Sequence, residues 1–396
     1  MVLEQRDQSA IQDRLQTELI RSGLDALIVT APESIFYCTG FASNFLYTSG
    51  QIGIAAAVVK KEGPVTLILN EFEKQAAQSS CKGIELQTYP VWIYIEDYAD
   101  ESGKEKPAQP DLNQVFAMAA EVILDSYPNP KVGLEMETIS HSKWDYLCQV
   151  FGQDHLFDAG PTLVESRAIK TPWEIDVLRR GANIAEIAMY RTAHTIEQGM
   201  TEAEVMAVFR KNCEAQSPEV ISTIQAHTLG SDFAPAIIPR HTKIKRGDII
   251  RIDGGPFYCG YCTDIARTFA LGPRTEKRRE EIYAALWKGY ETGRNMLGPG
   301  VRMCDVFAAM QKVIRENGIP GYIRGHHGHS IGCCRFSEEY PFLSGKETRP
   351  LEPGMVMCLE VPYYSSKNHS YNIEDMFLIT ENGAEFFSNA CESLYL

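Results

Sequence analysis

The chain lacks any apolar stretch long enough to cross a membrane, and its first residues, MVLEQRDQSA, are polar and carry no apolar signal core. It also lacks an excess of positive charge, because 38 lysines and arginines against 52 aspartates and glutamates give a net charge of −14. That balance argues against a general affinity for nucleic acid or anionic membranes. With no low-complexity segment or short-period repeat, the composition predicts an ordinary globular protein with neither kind of partner.

Regular cysteine spacing is missing as well. The eleven cysteines are an odd number in a chain of 396 residues. The CGYC stretch from Cys259 to Cys262 is a lone CxxC, and the pair Cys333–Cys334 supplies no second one to complete a zinc site. Reduced, mostly buried thiols are therefore favoured over a redox or structural-zinc role, and we expect a cytoplasmic protein.

The length allows two domains. In the first half, helical spacing in IQDRLQTELIRSG alternates with the strand-like segments LDALIVTAP, IAAAVV and VTLIL. This alternation predicts an α/β domain over residues 1–163. The second domain is predicted over residues 164–396, where the pattern changes.

A strong helix start opens the second domain. Thr171 can cap the helix, Pro172 occupies its first position, and Glu174 completes a capping box. Further helices alternate with the strand-like segments DIIRIDGG, YCTDIARTFAL, GMVMCLEV and NIEDMFLIT. Strands joined by turns predict a mostly antiparallel sheet with helices on one face, an α+β arrangement.

Two aspartates flank the glycine-rich turn in IRIDGGPFYCGYCTDIARTF. A hairpin there would bring Asp264 beside Asp253. Two ionised carboxylates in an apolar setting repel each other and lose solvation, so they require a cation. The alternative is a pair of aspartates at a hairpin end that face solvent.

Three more residues favour a bound cation over a pair of solvent-facing aspartates. His329 lies between small residues in GHHGHSIG, whereas Glu360 and Glu374 lie in apolar strands. An acid in such a strand is seldom buried unless it is paired or bound to metal. Four carboxylates and one imidazole suit two divalent ions that share a bridging hydroxide. Manganese, cobalt, iron and zinc are all chemically possible.

These motifs resemble those of the creatinase, aminopeptidase P and prolidase family, the M24 metallopeptidases. The matching segments, in the family's usual order, are GLDALIVTAPESIFYCTGF, IKTPWEIDVLRRGANIAEIA, IDGGPFYCGYCTDIARTF, GHSIG, LEPGMVMCLEVP and NIEDMFLITENG. The resemblance covers nearly the whole chain. It implies a creatinase-like α/β N-terminal domain and an α+β pita-bread catalytic domain like that of methionine aminopeptidase.

The resemblance also implies a role for each of the five residues. Asp253 would chelate one metal ion, and Asp264 and Glu374 would bridge both. His329 and Glu360 would bind the second ion, and Glu360 would shuttle the proton of the bridging water. The implied cofactor is a pair of divalent ions, manganese first among them, and activity should be lost in acid as the carboxylates protonate.

The chain departs from the family pattern at two histidines. Family peptidases usually carry one seven residues after the metal-binding histidine, where this chain has Phe336. The other usually precedes the first aspartate by about seventeen residues, whereas His241 precedes Asp253 by only twelve (253 − 241 = 12). Replacements for the missing donor could come from His241, His326 or His327. We expect His241 and His326 in catalytic roles, and His241, His327 and Arg335 in contact with substrate; each could instead be a loop, core or surface residue.

These departures leave the substrate open. The leading interpretation is a hydrolase of a short peptide or peptide-like amide, of the Xaa-Pro dipeptidase or aminopeptidase type. The alternatives are a creatinase-like hydrolase or lyase that acts on the C–N bond of a small non-peptide substrate, and a non-catalytic pita-bread binding protein. The stretch FASNFLYTSGQIG resembles the segment that reaches the partner's active site in creatinase-like dimers, so a homodimer is expected.

Overall fold

The computed structural model describes residues 6–43, 45–46, 53–91, 111, 113–217, 220–226, 241–334 and 337–395. The chain forms two compact units, Gln5–Arg167 and Ala168–Leu396. Their boundary falls four residues after the predicted one (167 − 163 = 4). Among the described helices, none is both long and apolar enough to cross a membrane.

The first unit is an α/β domain with a six-stranded mixed sheet in the order β4-β3-β2-β1-β5-β6. Its elements are α1 (Gln8–Arg21), β1 (Ala26–Val29), α2 (Pro32–Thr39), β2 (Ala56–Lys60), β3 (Thr66–Asn70), α3 (Lys74–Ser80), β4 (Glu85–Tyr89), α4 (Gln114–Leu124), β5 (Val132–Leu134), α5 (His141–Phe151), β6 (Leu156–Asp158) and α6 (Gly160–Ala168).

Apolar periodicity explains this unit. The predicted helical stripe of α1, Ile11, Leu15 and Leu19, is fully buried. Strands β1, β2 and β3 are buried over almost their whole length, as continuous apolar runs predict.

The second unit contains an eight-stranded sheet in which all pairs of neighbouring strands run antiparallel. The main order is β11-β10-β12-β15-β9-β8-β7, with β16 paired to β15. Its elements are α7 (Pro172–Ala193), α8 (Glu202–Glu214), β7 (Val220–Ala226), β8 (Ile249–Tyr258), β9 (Ile265–Ala270), α9 (Lys277–Met296), α10 (Met303–Glu316), β10 (His326–Ser330), β11 (Glu339–Ser344), β12 (Val356–Glu360), β13 (Tyr363–Ser365), β14 (His369–Tyr371), β15 (Glu374–Thr380) and β16 (Gly383–Phe386).

Helix α7 begins as its sequence predicts. The Thr171 side chain accepts a hydrogen bond from the Glu174 backbone N–H, and the Glu174 carboxylate accepts one from the Thr171 N–H, which completes the capping box. Helices α9 and α10 pack apolar residues such as Leu286 and Met310 against the sheet residues Leu359 and Phe377.

Helices cover one face of this sheet, and the two acidic residues at the start of β15 point to opposite faces. Asp375 on β15 points to the helical side, where it accepts a hydrogen bond from Arg267 of β9 (2.8 Å) and another from Tyr290 of α9 (2.5 Å). Because side chains alternate along a strand, the neighbouring Glu374 points to the opposite face. The acidic side chains predicted from the sequence lie on that opposite face.

Candidate metal centre

The five predicted ligands lie on or beside five neighbouring strands, β8, β9, β15, β12 and β10. Asp253 lies within β8, Asp264 directly precedes β9, and His329 lies within β10. Glu360 ends β12 and faces Glu374, its register partner at the start of β15. All five side chains are buried. The antiparallel sheet therefore brings together residues that are far apart in sequence.

A single amide holds three of the carboxylates together. Asn372 Nδ2 donates to Asp253 Oδ2 (3.2 Å) and Glu374 Oε2 (3.0 Å), and it lies 3.5 Å from Glu360 Oε2. The three acids therefore point into one small region. Asn372 lies two residues before Glu374, which places its side chain on the same face of the sheet.

His329 is oriented toward the same region. Its Nδ1 lies 3.0 Å from the carbonyl oxygen of Ser330, and its Nε2 lies 3.5 Å from Glu374 Oε1. A backbone partner on one ring nitrogen fixes which nitrogen is available as a metal ligand, an arrangement typical of metal-binding histidines.

Asp264 and Glu374 both have raised pKa values. Burial is the largest cause for Asp264, and the charges of Glu374 and Asp253 add to it, so its pKa lies well above the ordinary value. Burial also raises the pKa of Glu374, with the charges of Glu360 and Asp253 acting in the same direction. Two buried acids that resist ionisation in the absence of an ion are stabilised by a bound cation.

The donor set fits divalent metal ions. Asp264 Oδ1 and Glu374 Oε1 are buried and accept no hydrogen bond from any described residue. Donor atoms of Asp253, Asp264 and Glu374 lie within 4.8 Å of one another, and so do those of His329, Cys358 and Glu374. Glu374 belongs to both groups, so the two sets of possible metal ligands overlap at its carboxylate.

Glu360 has a basic environment on its other side. His326 Nδ1 lies 3.1 Å from Glu360 Oε1, and Arg324 Nη2 lies 3.6 Å from the same oxygen. Burial alone would raise the pKa of Glu360, but the adjacent His326 ring and the charges of His329 and Arg324 lower it to about 2. Glu360 is therefore held as a carboxylate.

His326 links Glu360 to a second acid, Glu338. His326 Nε2 lies 3.4 Å from Glu338 Oε2, and the Glu338 side chain is about one-third exposed (36%). Burial would lower the pKa of His326, but the adjacent carboxylates of Glu338 and Glu360 raise it to about 9. The predicted catalytic placement of His326 thus has a geometric basis, because this ring lies beside the cluster.

Arg251 supplies a buried positive charge at the other edge of the cluster. Its Nη1 donates to Asp253 Oδ2 (3.0 Å) and to the hydroxyl of Tyr364 (3.2 Å). The guanidinium carbon lies 5.1 Å from the centre of the Tyr364 ring, a cation–π distance. Arg251 therefore partly neutralises Asp253 and keeps that carboxylate in place.

His327 differs from its predicted role. The ring is fully buried, stacks on Tyr322 with centroids 5.8 Å apart, and has Nδ1 3.1 Å from the Glu360 carbonyl oxygen. Burial lowers the pKa of His327 to about 4, so the ring is neutral. These contacts make it a packing residue, and its enclosed ring gives no support to the predicted contact with substrate.

The remaining predicted residues lie elsewhere. His241 is exposed and lies near Glu204 at the start of α8. Its described neighbours do not include the cluster, so its placement gives no support to the predicted catalytic and substrate-binding roles. Arg335, like Phe336, lies outside the described residues.

Sequence reasoning missed four polar neighbours of the cluster. Arg251 lies two residues before Asp253 on β8, and Asn372 lies two residues before Glu374 in the segment that leads into β15, so the period-two rule could have identified them. Arg324 and Glu338 flank β10 and carry no such periodic signal. Their approach to Glu360 and His326 depends on how β10, β11 and β12 pair.

An antiparallel sheet that concentrates four acids and one imidazole on a single face defines a metallohydrolase class of protein. Comparison with known families agrees with that class. Residues 176–381 match the model of metallopeptidase family M24, and residues 12–169 match the creatinase/prolidase N-terminal domain. The chain belongs to metallopeptidase family M24.

Individual relatives are distant but nearly full-length. An uncharacterized peptidase of Bacillus subtilis, YqhT, is 24% identical over 387 residues, which cover 97% of this chain and 99% of that protein. A solved Xaa-Pro dipeptidase from Bacillus anthracis superposes with a TM-score of 0.80 at 22% identity, covering 98% of this chain and 99% of that one. A prolidase from Pyrococcus horikoshii gives a TM-score of 0.78 at 21% identity, with coverage of 97% and 99%.

These comparisons confirm the predicted family and fold. The chain has a creatinase-type N-terminal domain followed by a pita-bread catalytic domain, and it is a metal-dependent peptidase. The prediction of a non-catalytic binding protein is therefore not retained.

Proposed function

We propose that this protein is a dinuclear-metal-dependent hydrolase that cleaves short peptides at Xaa-Pro bonds, as a dipeptidase. The observation that carries the proposal is Glu374, whose carboxylate belongs to both overlapping donor groups. The similar solved structures include an Xaa-Pro dipeptidase and a prolidase, which supports the choice of substrate.

Asp253, Asp264, His329, Glu360 and Glu374 would hold the ions. When bound, divalent metal ions acidify a water nucleophile and polarise the scissile carbonyl, and they carry the negative charge that develops in the transition state. The oxygen-rich donor set suits manganese, which is the first ion to test.

The residues around Glu360 would handle the protons. Glu360 is held as a carboxylate by His326 and Arg324, so it can accept the proton of the attacking water. His326 is charged at neutral pH and lies between Glu360 and the partly exposed Glu338, so it can donate a proton to the leaving amine. His326 would then supply the proton donor in place of the histidine that the family usually has at the position of Phe336.

Arg324 would bind the carboxylate end of a dipeptide. Its side chain is 24% exposed and its guanidinium lies beside Glu360. A guanidinium can pair with a carboxylate through two parallel hydrogen bonds. Arg324 is thus better supported than Arg335 as the residue that selects short substrates with a free C terminus.

A substrate panel tests the proposal. Manganese-loaded protein should hydrolyse Xaa-Pro dipeptides faster than the same dipeptides with an amidated C terminus, and Glu374→Gln should reduce turnover to background. If folded, metal-loaded protein hydrolyses none of them, the Xaa-Pro proposal is wrong. The alternative, a C–N hydrolase or lyase that acts on a small non-peptide substrate, would then be favoured.

Two other parts of the proposal depend on sequence alone. We propose a homodimer, because FASNFLYTSGQIG resembles the segment through which creatinase-like dimers share their active sites; most of that stretch lies outside the described residues. A cytoplasmic location is proposed from the unpatterned cysteines. Light scattering on purified protein and fractionation of the source cells test these two points.

A further inference from the structure

Cys358 lies at the metal centre, although no prediction assigned it a role there. It is fully buried in β12, two residues before Glu360, so both side chains point to the same face of the sheet. Across the ladder its register partner is His329 on β10. Side chains of directly paired residues are neighbours, so the thiol and the imidazole lie side by side.

The sulfur is surrounded by potential metal ligands. Donor atoms of Cys358, His329 and Glu374 all lie within 4.8 Å of one another. The thiol donates to the backbone carbonyl oxygen of Asp264 (3.5 Å), and its sulfur lies within 4.8 Å of a carboxylate oxygen of Glu374. Glu374 Oε1 is buried and accepts no hydrogen bond from the described residues, so it is available for an ion at this place.

The two cation positions therefore differ in chemistry. Asp253, Asp264 and Glu374 offer only oxygen, which suits manganese, whereas the position beside His329 combines nitrogen, oxygen and sulfur. Thiolate and imidazole ligands favour zinc, cobalt and iron over manganese.

We propose that Cys358 is a sulfur ligand of the ion held by His329 and Glu374, and that this position takes zinc, cobalt or iron while the all-oxygen position takes manganese. As the sulfur–metal bond forms, the S–H bond breaks and its proton leaves to solvent. The inference rests on the metal centre of the proposed function and is independent of the peptide that the enzyme cleaves.

X-ray absorption on the unmodified protein gives the most direct test. Metal-free protein is loaded with one equivalent of zinc, and the zinc edge is measured. We expect one sulfur scatterer at about 2.3 Å beside nitrogen and oxygen at about 2.0–2.1 Å. A first shell of nitrogen and oxygen alone would overturn the inference.

Cobalt substitution adds a matched pair of variants. The cobalt-loaded protein should show a near-ultraviolet sulfur-to-cobalt charge-transfer band that is lost in Cys358→Ser and kept in Cys262→Ser. Cys262 is a suitable control because it is also a buried thiol close to Asp264, but it belongs to neither donor group among the described residues. A band that survives Cys358→Ser contradicts the proposal.

Metal selectivity separates ligation from a mere hydrogen bond. Replacing a sulfur ligand by a hydroxyl should lower the ratio of zinc to manganese affinity by about tenfold or more, because the softer ion loses most. A thiol that only donates a hydrogen bond to the Asp264 carbonyl oxygen would change both affinities alike. Circular dichroism establishes that Cys358→Ser folds, and the zinc-edge measurement does not depend on it.

The outcomes for this inference and for the proposed function are separable. Sulfur at the zinc edge without hydrolysis of any Xaa-Pro dipeptide would support Cys358 as a ligand and reject the substrate. Hydrolysis without sulfur would reject the ligand and keep the substrate.

Discussion

At the scale of single residues, Glu374 is a buried carboxylate that lies among other acids and is incompletely hydrogen-bonded by the protein. Its carboxylate faces those of Glu360 and Asp253, which raise its pKa, and Asn372 bonds only one of its two oxygens. A carboxylate in that setting is poorly stabilised by the protein alone. The residues of the cluster are therefore arranged for a bound cation, at a cost to the stability of the metal-free fold.

His326 should be needed for turnover. Replacing it with alanine removes the ring between Glu360 and Glu338, and we expect kcat on an Xaa-Pro dipeptide to fall about 100-fold, as when a general acid is lost. His241→Ala is the control, because that exposed residue lies beside Glu204, and its kcat should stay within error of the unmodified protein. Equal losses in the two variants would contradict this assignment.

Arg251 should contribute most to the free energy of unfolding in the metal-free protein. Arg251→Leu leaves the Asp253 carboxylate without its buried partner, and such a loss destabilises by about 3–5 kcal/mol. A metal ion at Asp253 would supply the missing positive charge, so manganese should restore most of the free energy of unfolding. Urea denaturation with and without chelator measures both states.

Arg267→Leu provides the matched control for that variant. It breaks a buried ion pair with Asp375 on the helical face of the same sheet. Manganese should not restore its stability, because Asp375 points away from the cluster. A similar recovery in both variants would show that the metal acts on the whole fold and not through Asp253.

At the scale of single elements, strand β10 depends on Gly328. A Cβ at this position would lie 2.0 Å from the Cys358 carbonyl oxygen, and the residue has a φ of +149°. Only glycine lets the chain pass this close to β12, which is what sets His329 beside Cys358.

Gly328→Ala should therefore lose both stability and metal binding. Strain and overpacking together should cost at least about 1–3 kcal/mol in the free energy of unfolding. Gly325→Ala is the control, because a Cβ there meets no atom within 4 Å and the residue precedes the strand. Denaturant titration and metal analysis should show a loss in the first variant and none in the second.

Most elements near the site follow from local sequence rules. The capping box of α7 and the apolar strands β8, β12 and β15 are predicted by side-chain chemistry and periodicity. Strand β10 is not, because its sequence, HHGHS, lacks alternation and strand-forming residues. Its conformation comes from pairing with β11 and β12, and that pairing encloses His327, whose burial the sequence does not indicate.

At the scale of the whole molecule, the family and the positions of the acids could be predicted because each acid ends or interrupts an apolar run. The proton-handling and charge-balancing residues could not. Arg324 and Glu338 reach Glu360 and His326 through tertiary packing, and no spacing in the sequence relates them. Local patterns thus predict the ligands better than they predict what surrounds them.

Metal should also change how stability depends on pH. In metal-free protein the raised pKa values of Asp264 and Glu374 let the folded state bind protons that the unfolded state releases. The stabilising charge of His326 is complete below its ordinary pKa of 6.5 and is lost as pH rises through about 9. The charge of His326 makes the free energy of unfolding rise as pH falls from about 9 to about 7, and the two carboxylates act in the same direction above their ordinary pKa values of 3.8 and 4.5.

Manganese-loaded protein should lose that slope or reverse it, because bound ions keep the carboxylates ionised and protons compete with them. Urea titrations at several pH values, with manganese or chelator, provide the measurement. The same slope in both states would mean that these carboxylates do not bind the metal.

The placement of the five residues on neighbouring strands also bears on how such a protein can diversify. Adjacent strands are held about 4.8 Å apart by their backbone hydrogen bonds, a spacing that does not depend on the connecting loops. Insertions or deletions in the connections would leave the distances between those side chains unchanged. The rim that meets the substrate can therefore be rebuilt through loop length alone, while the reactive centre keeps its dimensions.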